Sequence, residues 1–527
     1  MTAFNASDVR QAHVLRRLSQ VNPFGPERIA LEREALGDDV QGLGPSWHLH
    51  HELHRERIDA VTRLSARSDA LAERMRRALE RSSGGDDAAR ALYVDVALFA
   101  LYHGMHLPMQ EAIVATLSHE RERARMPAFA AFEARAQSLL TLGGTRIDGV
   151  ESDEHLFALI FQLNRAFFAI YHVLVGASKP MVALRQQIWQ SIFTHDLARY
   201  RRSLFARLGD VPTLITGPSG SGKELVARAI AYARYVPYDR RSGKFVARFV
   251  DTFHPINLSA SSPTLVESEL FGHRKGAFTG ALADRIGFFA SSGPCGSVFL
   301  DEIGDLDPAI QVKLLRVLQT REFSALGDDT TRRFEGKVVA ATNRDLPALM
   351  REGRFREDLY YRLCADRVLT PTLREQLAGA PGELARLVEF IARQWVEGDD
   401  AATLTAQCVA FAETKLGPSY AWPGNFRELE QCVRSVLLRG EYVPAEPPAG
   451  DADVTRRLAR EFAAATLTAE QMLSRYVTYV YSQTRSYDAA ARVLDCDRRT
   501  VRARVLPELV RELRASDEAR GDPGGSG

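Results

Sequence analysis

Along residues 1 to about 175, apolar residues recur at helical spacing over long segments such as Ala88 to Ala100 and His155 to Val175. Few Gly or Pro residues interrupt them, so the pattern predicts a mostly helical region. Turn signals stand at Ser83-Gly84-Gly85-Asp86 and Gly143-Gly144. From Val211 to about Asn343 the texture changes to short β-branched runs, each followed by a glycine turn or a helical segment, which predicts an α/β sheet. Pro371 to Gly440 returns to helical spacing. Pro444 to Gly450, rich in Pro and Ala, reads as a linker, and a last helical unit precedes the Gly-rich tail Gly521 to Gly527. No internal repeat is visible.

Composition narrows the class. The 527 residues suit roughly three to four domains at about 150 residues each. With 45% hydrophobic and 26% charged residues, the chain has neither the bias of a disordered protein nor that of a multi-span membrane protein. Lys+Arg 68 against Asp+Glu 67 leaves a net charge of +1, so any basic surface for nucleic acid must be local. The five cysteines are scattered without a C-x-x-C pair, which favours a reducing cytoplasm over a disulfide framework or a zinc site. The most apolar stretch, Leu156 to Ala177, carries Gln162, Asn164, Arg165 and His172. An arginine at mid-membrane costs about 2.5 to 3.5 kcal/mol, so a buried helix is expected there.

Candidate chemistry gathers in the α/β stretch. Thr213 to Thr216 is a short apolar strand leading into Gly217, Pro218, Ser219, Gly220, Ser221, Gly222, Lys223 and Glu224, after which Leu225, Val226, Ala229 and Ile230 form one helical face. This is the strand, loop, helix setting of a P-loop: backbone N–H groups turn inward around phosphate oxygens, and Lys223 reaches the β- and γ-phosphates. Glu224 stands where the general motif has a Mg²⁺-binding Ser or Thr. Farther on, the apolar strand Ser297 to Leu300 ends in Asp301 and Glu302, suited to holding Mg²⁺ and to polarising an attacking water. A third apolar run, Val338 to Ala341, ends in Thr342 and Asn343, a polar pair placed to read the γ-phosphate.

Between these elements lies Glu267 to His273, reading ESELFGH, and then Gly276, Ala277, Phe278, Thr279, Gly280 and Ala281, reading GAFTGA. The segment strongly resembles the AAA+ domain of bacterial sigma-54-dependent transcriptional activators. The resemblance runs from about Ser178 to Gly440 and continues into the C-terminal unit. It implies a ring-forming ATPase, expected to be hexameric, that uses ATP and Mg²⁺. Its GAFTGA loop would engage sigma-54 through residues 276–281, with Phe278 and Thr279 at the contact. It also implies that Asn257 restrains Glu302 until nucleotide is sensed, and that Arg356 and Arg362 act as fingers on a neighbouring subunit's γ-phosphate. Arg427, in Trp422-Pro423-Gly424-Asn425-Phe426-Arg427, becomes the sensor arginine of a helical lid, with Asn425 expected as the N-cap of its helix. Family members also carry Glu after the P-loop Lys, which leaves Asp301 as the main Mg²⁺ residue. Two departures from the family pattern are the long approach Thr194 to Gly209 and the turn Gly293-Pro294-Cys295-Gly296.

Near the C-terminus, Tyr487 to Leu494, the turn Asp495-Cys496-Asp497, and Arg498, Arg499, Thr500, Val501, Arg502, Ala503, Arg504 and Val505 make a helix-turn-helix pattern. It resembles the Fis-type domain of the same family, with Asp495 in place of the usual turn glycine. Arg498, Arg499, Thr500, Arg502 and Arg504 are its expected DNA contacts, to phosphate and guanine.

The expected architecture is therefore multidomain. An α-helical regulatory region spans 1–175, an α/β AAA+ P-loop subdomain 176–370 and a helical lid 371–443. A linker over 444–460, a helix-turn-helix unit over 461–515 and a disordered tail over 516–527 follow. The N-terminal region lacks the early acidic pair and strand-end Asp of a receiver domain. Its segment Trp47 to His54 puts His50 and His54 one helical turn apart, a spacing open to a metal or to a plain solvated cluster. The whole reads as a cytoplasmic activator that binds upstream DNA and remodels sigma-54 RNA polymerase. The rival is a DNA-binding regulator that uses nucleotide only to set its oligomeric state, against which the intact GAFTGA weighs.

Overall fold

The computed structural model describes residues 3–37, 51–82, 85–116, 126–260, 262–417, 420–444, 458, 461 and 467–520. They form two compact units, Met1–Gly440 and Glu441–Gly527.

The N-terminal region is helical, as the periodicity predicts: α1 (Ala6–Gln20), α2 (Pro26–Leu36), α3 (His51–Arg81), α4 (Asp87–Gly104), α5 (His106–Thr116) and α6 (Ala128–Leu140). Side-chain caps fix several starts. Asn5 accepts the N–H of Asp8 at 2.8 Å and Asp86 that of Ala89 at 2.8 Å, each meeting a backbone donor the first turn leaves open. The apolar faces of these helices close on Leu18, Met75, Tyr93, Val96 and Phe132, all buried.

Helix α7 (Asp153–Val173) is apolar on nearly every face. It is long and apolar enough to cross a membrane, yet 78% of that stretch is buried inside the protein. A helix apolar all round needs cover on all sides, and α7 finds it in two places. Leu156, Phe157 and Phe161 face the N-terminal helices. Leu159, Leu163, Ala166 and Ile170 share a core with α8 (Lys179–Phe193) and with Ile215, Val226, Ala227 and Ile230 of the α/β region that follows.

The packing therefore does not part at residues 175/176, where the hydrophobic pattern suggested a boundary. The junction is pinned by polar contacts as well. Buried Arg185 donates to the carbonyls of Leu174 at 2.6 Å and Gly176 at 2.5 Å. Glu383 Oε1 accepts the N–H groups of Ala177 at 2.7 Å and Ser178 at 3.1 Å. The arginine-rich approach Thr194 to Gly209 is used internally too. Tyr200, on α9 (Leu197–Arg202), is buried and receives a 2.6 Å hydrogen bond from Gln162 of α7.

Five parallel strands form the central sheet: β1 (Thr213–Thr216), β2 (Phe253–Asn257), β3 (Ser297–Asp301), β4 (Lys337–Thr342) and β5 (Asp366–Leu369). Their order is β5-β1-β4-β3-β2. β4 is buried along its whole length, the mark of a parallel strand covered on both faces. Parallel pairing sets Ala341 beside Ile215 and Asn257 beside Asp301, so the C-terminal ends of β1 to β4 meet at one edge. Helix α10 (Lys223–Tyr232) follows β1 and packs on β4 and on α7. The helices Glu383–Ala392, Gly398–Phe411 and Asn425–Arg439 pack together as the lid.

The second unit contains Ala469–Thr484, Tyr487–Val493 and Arg498–Arg504, packed around Val477, Val480, Ala490 and Val501, and Pro507–Arg520, whose Leu509 and Leu513 pack with Leu458 and Tyr479. The last helix runs to Arg520, past the expected end of the unit at residue 515, because no Gly or Pro interrupts the chain until Gly521. The remaining tail 521–527 and most of the expected linker, 445–457 and 459–460, lie outside the described residues.

Candidate functional site

The P-loop closes around itself and is backed by two other segments. Gly217 has φ 155° and Gly220 φ 74°, backbone values that side chains disfavour. Space demands glycine at both as well: a Cβ on Gly217 would overlap the hydroxyl of Thr370, and one on Gly220 the carbonyl of Gly424. Ser221 Oγ lies 2.6 Å from Thr370 Oγ1, tying the loop to the segment after β5.

Lys223, the first residue of α10, is buried and donates to the carbonyls of Gly217 and Pro218, each at 3.1 Å. Burial pulls its ammonium below the usual lysine range, opposed by the negative charges of Glu302 and Asp301. Glu224 turns aside to an ion pair with Arg228 at 2.8 Å, so it adds no acid to a metal position.

The lid reaches the same loop. Arg427 Nη1 donates to Ser219 Oγ at 3.1 Å, and the N–H of Phe426 donates to the carbonyl of Gly220 at 3.0 Å. Asn425 is not the N-cap that the sequence suggested. Gly424 takes that place, and Asn425 begins the helix at φ 54°. Its amide instead bridges two elements, accepting the N–H of Leu373 at 2.8 Å and donating to the carbonyl of Ser219 at 2.9 Å. The roles of Thr370 and Asn425 escape sequence reading because both partners of each contact are far apart in the chain.

At the end of β3, burial raises the Asp301 carboxyl above its ordinary range, opposed by the Glu302 N–H it accepts at 3.0 Å and by the Lys223 ammonium. Glu302 has φ 56°, a left-handed conformation for a non-glycine residue, and its Oε2 is buried without a hydrogen-bond partner. Strain and an unsatisfied acceptor at one residue are features that persist where function demands them. A glycine cradle that any Cβ would fill, a buried ammonium and an orphaned carboxylate oxygen fit a nucleotide with its Mg²⁺, which Asp301 would hold.

The remaining predicted residues are placed as follows. Asn257 sits beside Asp301 in the β2–β3 register, but its Oδ1 accepts from the Ser259 N–H at 2.9 Å and hydroxyl at 2.8 Å. Among the described residues Asn257 makes no hydrogen bond to Glu302, so the expected restraint is not made; Ser259 engages only its Oδ1, and Nδ2 is the atom that could donate to the carboxylate. Asn343 is exposed just past β4, while Thr342 caps the turn by accepting the Arg344 N–H at 3.0 Å. Arg356 is the N-cap residue of the short helix Glu357–Leu363 and Arg362 lies in its last turn, both exposed. Arg356 makes a two-pronged pair with Asp358 at 3.0 and 2.7 Å.

The loop holding residues 276–281 grows from a two-residue ladder of Gly272–His273 with Arg285–Ile286. Its base is fastened by Arg274, which pairs with Asp284 at 2.9 Å and Asp328 at 3.1 Å. The Ala281 carbonyl accepts the Gly276 N–H at 2.9 Å, closing the loop. Thr279 is exposed, whereas Phe278 is half-buried with its ring edge-on to His273, 5.0 Å between centroids. Leu282 is 85% exposed and Ile286 69%, two apolar side chains beside the loop that the sequence motif did not single out.

In the second unit, Asp495 adopts φ 46°, the conformation a turn glycine would take. Asp497 caps the following helix by accepting the Arg499 N–H at 2.7 Å. Arg498, Arg499, Thr500 and Arg502 are exposed and Arg504 is half-buried. The side chains of His51 and His54, and residues 47–50 altogether, lie outside the described set, so the histidine spacing stands on sequence alone.

Comparison with known proteins bears on the central segment. The family described as Sigma-54 interaction domain matches residues 194–368. A Nif-specific regulatory protein of Herbaspirillum seropedicae is 39% identical over 288 residues, covering 54% of this chain and 46% of the relative. A sigma54-dependent transcriptional activator of Pseudomonas putida, SfnR, is 44% identical over 229 residues, 44% of this chain and 57% of its own. Among solved structures, NtrX from Brucella abortus in complex with ATP aligns with 75% of this chain and 81% of its own at 22% identity and a TM-score of 0.38. The chain thus spans about half the length of the curated relatives it matches. The resemblance to sigma-54-dependent activators read from the GAFTGA segment is borne out by the family match and the two curated relatives.

Proposed function

We propose that this chain, whose residues 194–368 match the sigma-54 interaction domain, is a sigma-54-dependent transcriptional activator that couples ATP hydrolysis to remodelling of sigma-54 RNA polymerase. The observation that carries the reading is the closed loop 276–281, exposed at Thr279, built on the same fold as a P-loop whose lysine, acids and lid arginine converge. Lys223 and the P-loop N–H groups bind the phosphates, Asp301 holds Mg²⁺, and Glu302 takes the proton of the attacking water. Asn343 and Arg427 sense the γ-phosphate from the sheet edge and the lid. Asn257 would restrain Glu302 by donating from Nδ2 to its carboxylate until nucleotide is sensed. Arg356 or Arg362 reaches a neighbouring subunit's nucleotide in a hexameric ring, so turnover depends on assembly. The helical region before α8 regulates that assembly, the unit after residue 460 binds upstream DNA, and the chain works in the cytoplasm.

The test is capture of purified sigma-54 with an ATP transition-state analogue present and absent. Retention only with the analogue supports the reading, and none in either condition removes it. Thr279→Ala is expected to spare most ATPase activity and to lose transcription activation, since Thr279 is exposed and lies on no phosphate-binding element. Normal activation by this variant in a reconstituted transcription assay would detach the loop from the coupling.

The exposed face of Arg498–Arg504 supports a major-groove reader. Arg502→Ala is expected to weaken specific DNA binding by about 1 to 3 kcal/mol if it reads a base, or to lower the salt slope by about one unit if it contacts phosphate. Unchanged affinity and slope in a salt titration would take Arg502 out of the interface.

A further inference from the structure

Between α1, α4, α5, α7 and α8 lies a cavity of about 220 Å³ that the nucleotide site does not use. Its wall is mostly apolar and carries the rings of Phe99, Tyr102, Phe167, Phe168, Tyr171 and Trp189. An apolar cavity of about 150 Å³ is already large enough to admit benzene and stay dry.

The wall also carries polar and charged groups, among them the cations Arg28 and Arg201 and the acids Glu32 and Asp95. Asp95 pairs with Arg16 at 3.3 Å and Arg201 with Glu151 at 3.3 Å, which leaves Arg201 Nη1 buried without a hydrogen-bond partner. Arg28 pairs with Glu32 at 2.7 Å, with both side chains largely buried, and donates to the Leu18 carbonyl at 2.9 Å. Asn164 donates to the Ile160 carbonyl at 2.8 Å and lies 3.3 Å from His106 Nδ1. Burial, with Arg28 and His106 adding to it, holds the His103 imidazole well below its usual range. Burial likewise raises the Tyr102 phenol. Both side chains are therefore uncharged near neutral pH, and the formal charges of the wall, Arg28 and Arg201 against Glu32 and Asp95, cancel.

The cavity is joined to the ATPase by its own wall. Leu159, Leu163 and Trp189 belong to the same core as Ile215 of the P-loop strand and Val226, Ala227 and Ile230 of α10. Gln162, on the same helix, donates to the Ala233 carbonyl at the C-terminal end of α10 at 2.8 Å.

From this geometry we infer that the cavity is the effector site of the chain, taking a neutral, flat, largely apolar molecule of one or two rings with a hydrogen-bonding substituent, and that its occupancy alters ATP turnover through α7. The coupling half rests on the ATPase reading above; the binding half does not.

The test uses the full chain and 2-naphthol as probe, with 2-naphthoate as its charged counterpart. Calorimetry should show one saturable naphthol site per chain. Naphthoate should bind at least about tenfold more weakly, because its carboxylate would give up its water among aromatic rings while the cations of the wall, Arg28 and Arg201, already have Glu32 and Glu151 as partners. Ala198→Trp, which adds an indole at the half-buried α9 side of the cavity, should weaken naphthol binding at least about tenfold. Naphthol should quench tryptophan emission in the parent chain and much less in Trp189→Phe, a readout that does not depend on the Ala198 variant folding. Absence of saturable binding, equal binding of naphthoate, or quenching unchanged in Trp189→Phe would each overturn the site. Saturable binding with ATP turnover the same at zero and saturating naphthol would overturn the coupling. Sigma-54 capture, measured without naphthol, fails separately if the activator reading is wrong.

Discussion

Glu302→Gln should leave ATP bound and cut its turnover by about 10²- to 10⁴-fold, the usual contribution of a positioned general base. The substitution keeps the shape of the side chain and removes only its basicity. Asp301 and Lys223 stay where they are, and the amide has the same space around the buried, unpartnered Oε2 position. Lys223→Ala differs in kind. It deletes a buried ammonium that faces Asp301 and Glu302, and should lose nucleotide binding itself. Filter binding of labelled ATP alongside phosphate release separates the two. Near-parent turnover in both variants would dissolve the site assignment.

The second large effect concerns residues far from their own subunit's phosphates. At least one of Arg356→Ala and Arg362→Ala should lower turnover by about 10³- to 10⁵-fold while nucleotide affinity holds, as removal of a trans-acting arginine does. Arg356 is engaged by Asp358 in the isolated chain, so for it to act that pair must open on assembly. Mixing either variant with Glu302→Gln subunits should restore some turnover, because intact arginines then face intact bases across part of the interfaces. No rescue at any mixing ratio would place both arginines outside the active site.

Much of this site is legible in the sequence because each part is local. The P-loop, the acids ending β3 and the loop 276–281 each occupy a few consecutive residues whose spacing sets their geometry. What the sequence hides are contacts whose partners are distant: Thr370 behind Ser221, and Asn425 bridging Leu373 and Ser219. Asn425 shows the limit well. Asn beside Pro and Gly before a helix reads as a cap, yet tertiary hydrogen bonds draw its amide elsewhere.

The fold divides in the same way. Helical periodicity before residue 175 and strand texture after 211 are local signals, and both elements are present. The packing of α7 is not local. A uniformly apolar helix announces that it is covered, but the sequence carries no sign that its two faces serve different neighbours.

That shared helix bears on how such a chain can be recombined. Gly176 looks like a seam, but Arg185 holds the carbonyls on one side of it and Glu383 of the lid holds the amides on the other. Joining a foreign sensor at that point would strip the cover from Val226, Ala227 and Ile230 behind the P-loop. A working chimera has to carry α7 along with the P-loop sheet, and the sensor joined before Asp153 has to supply new cover for Leu156, Phe157 and Phe161.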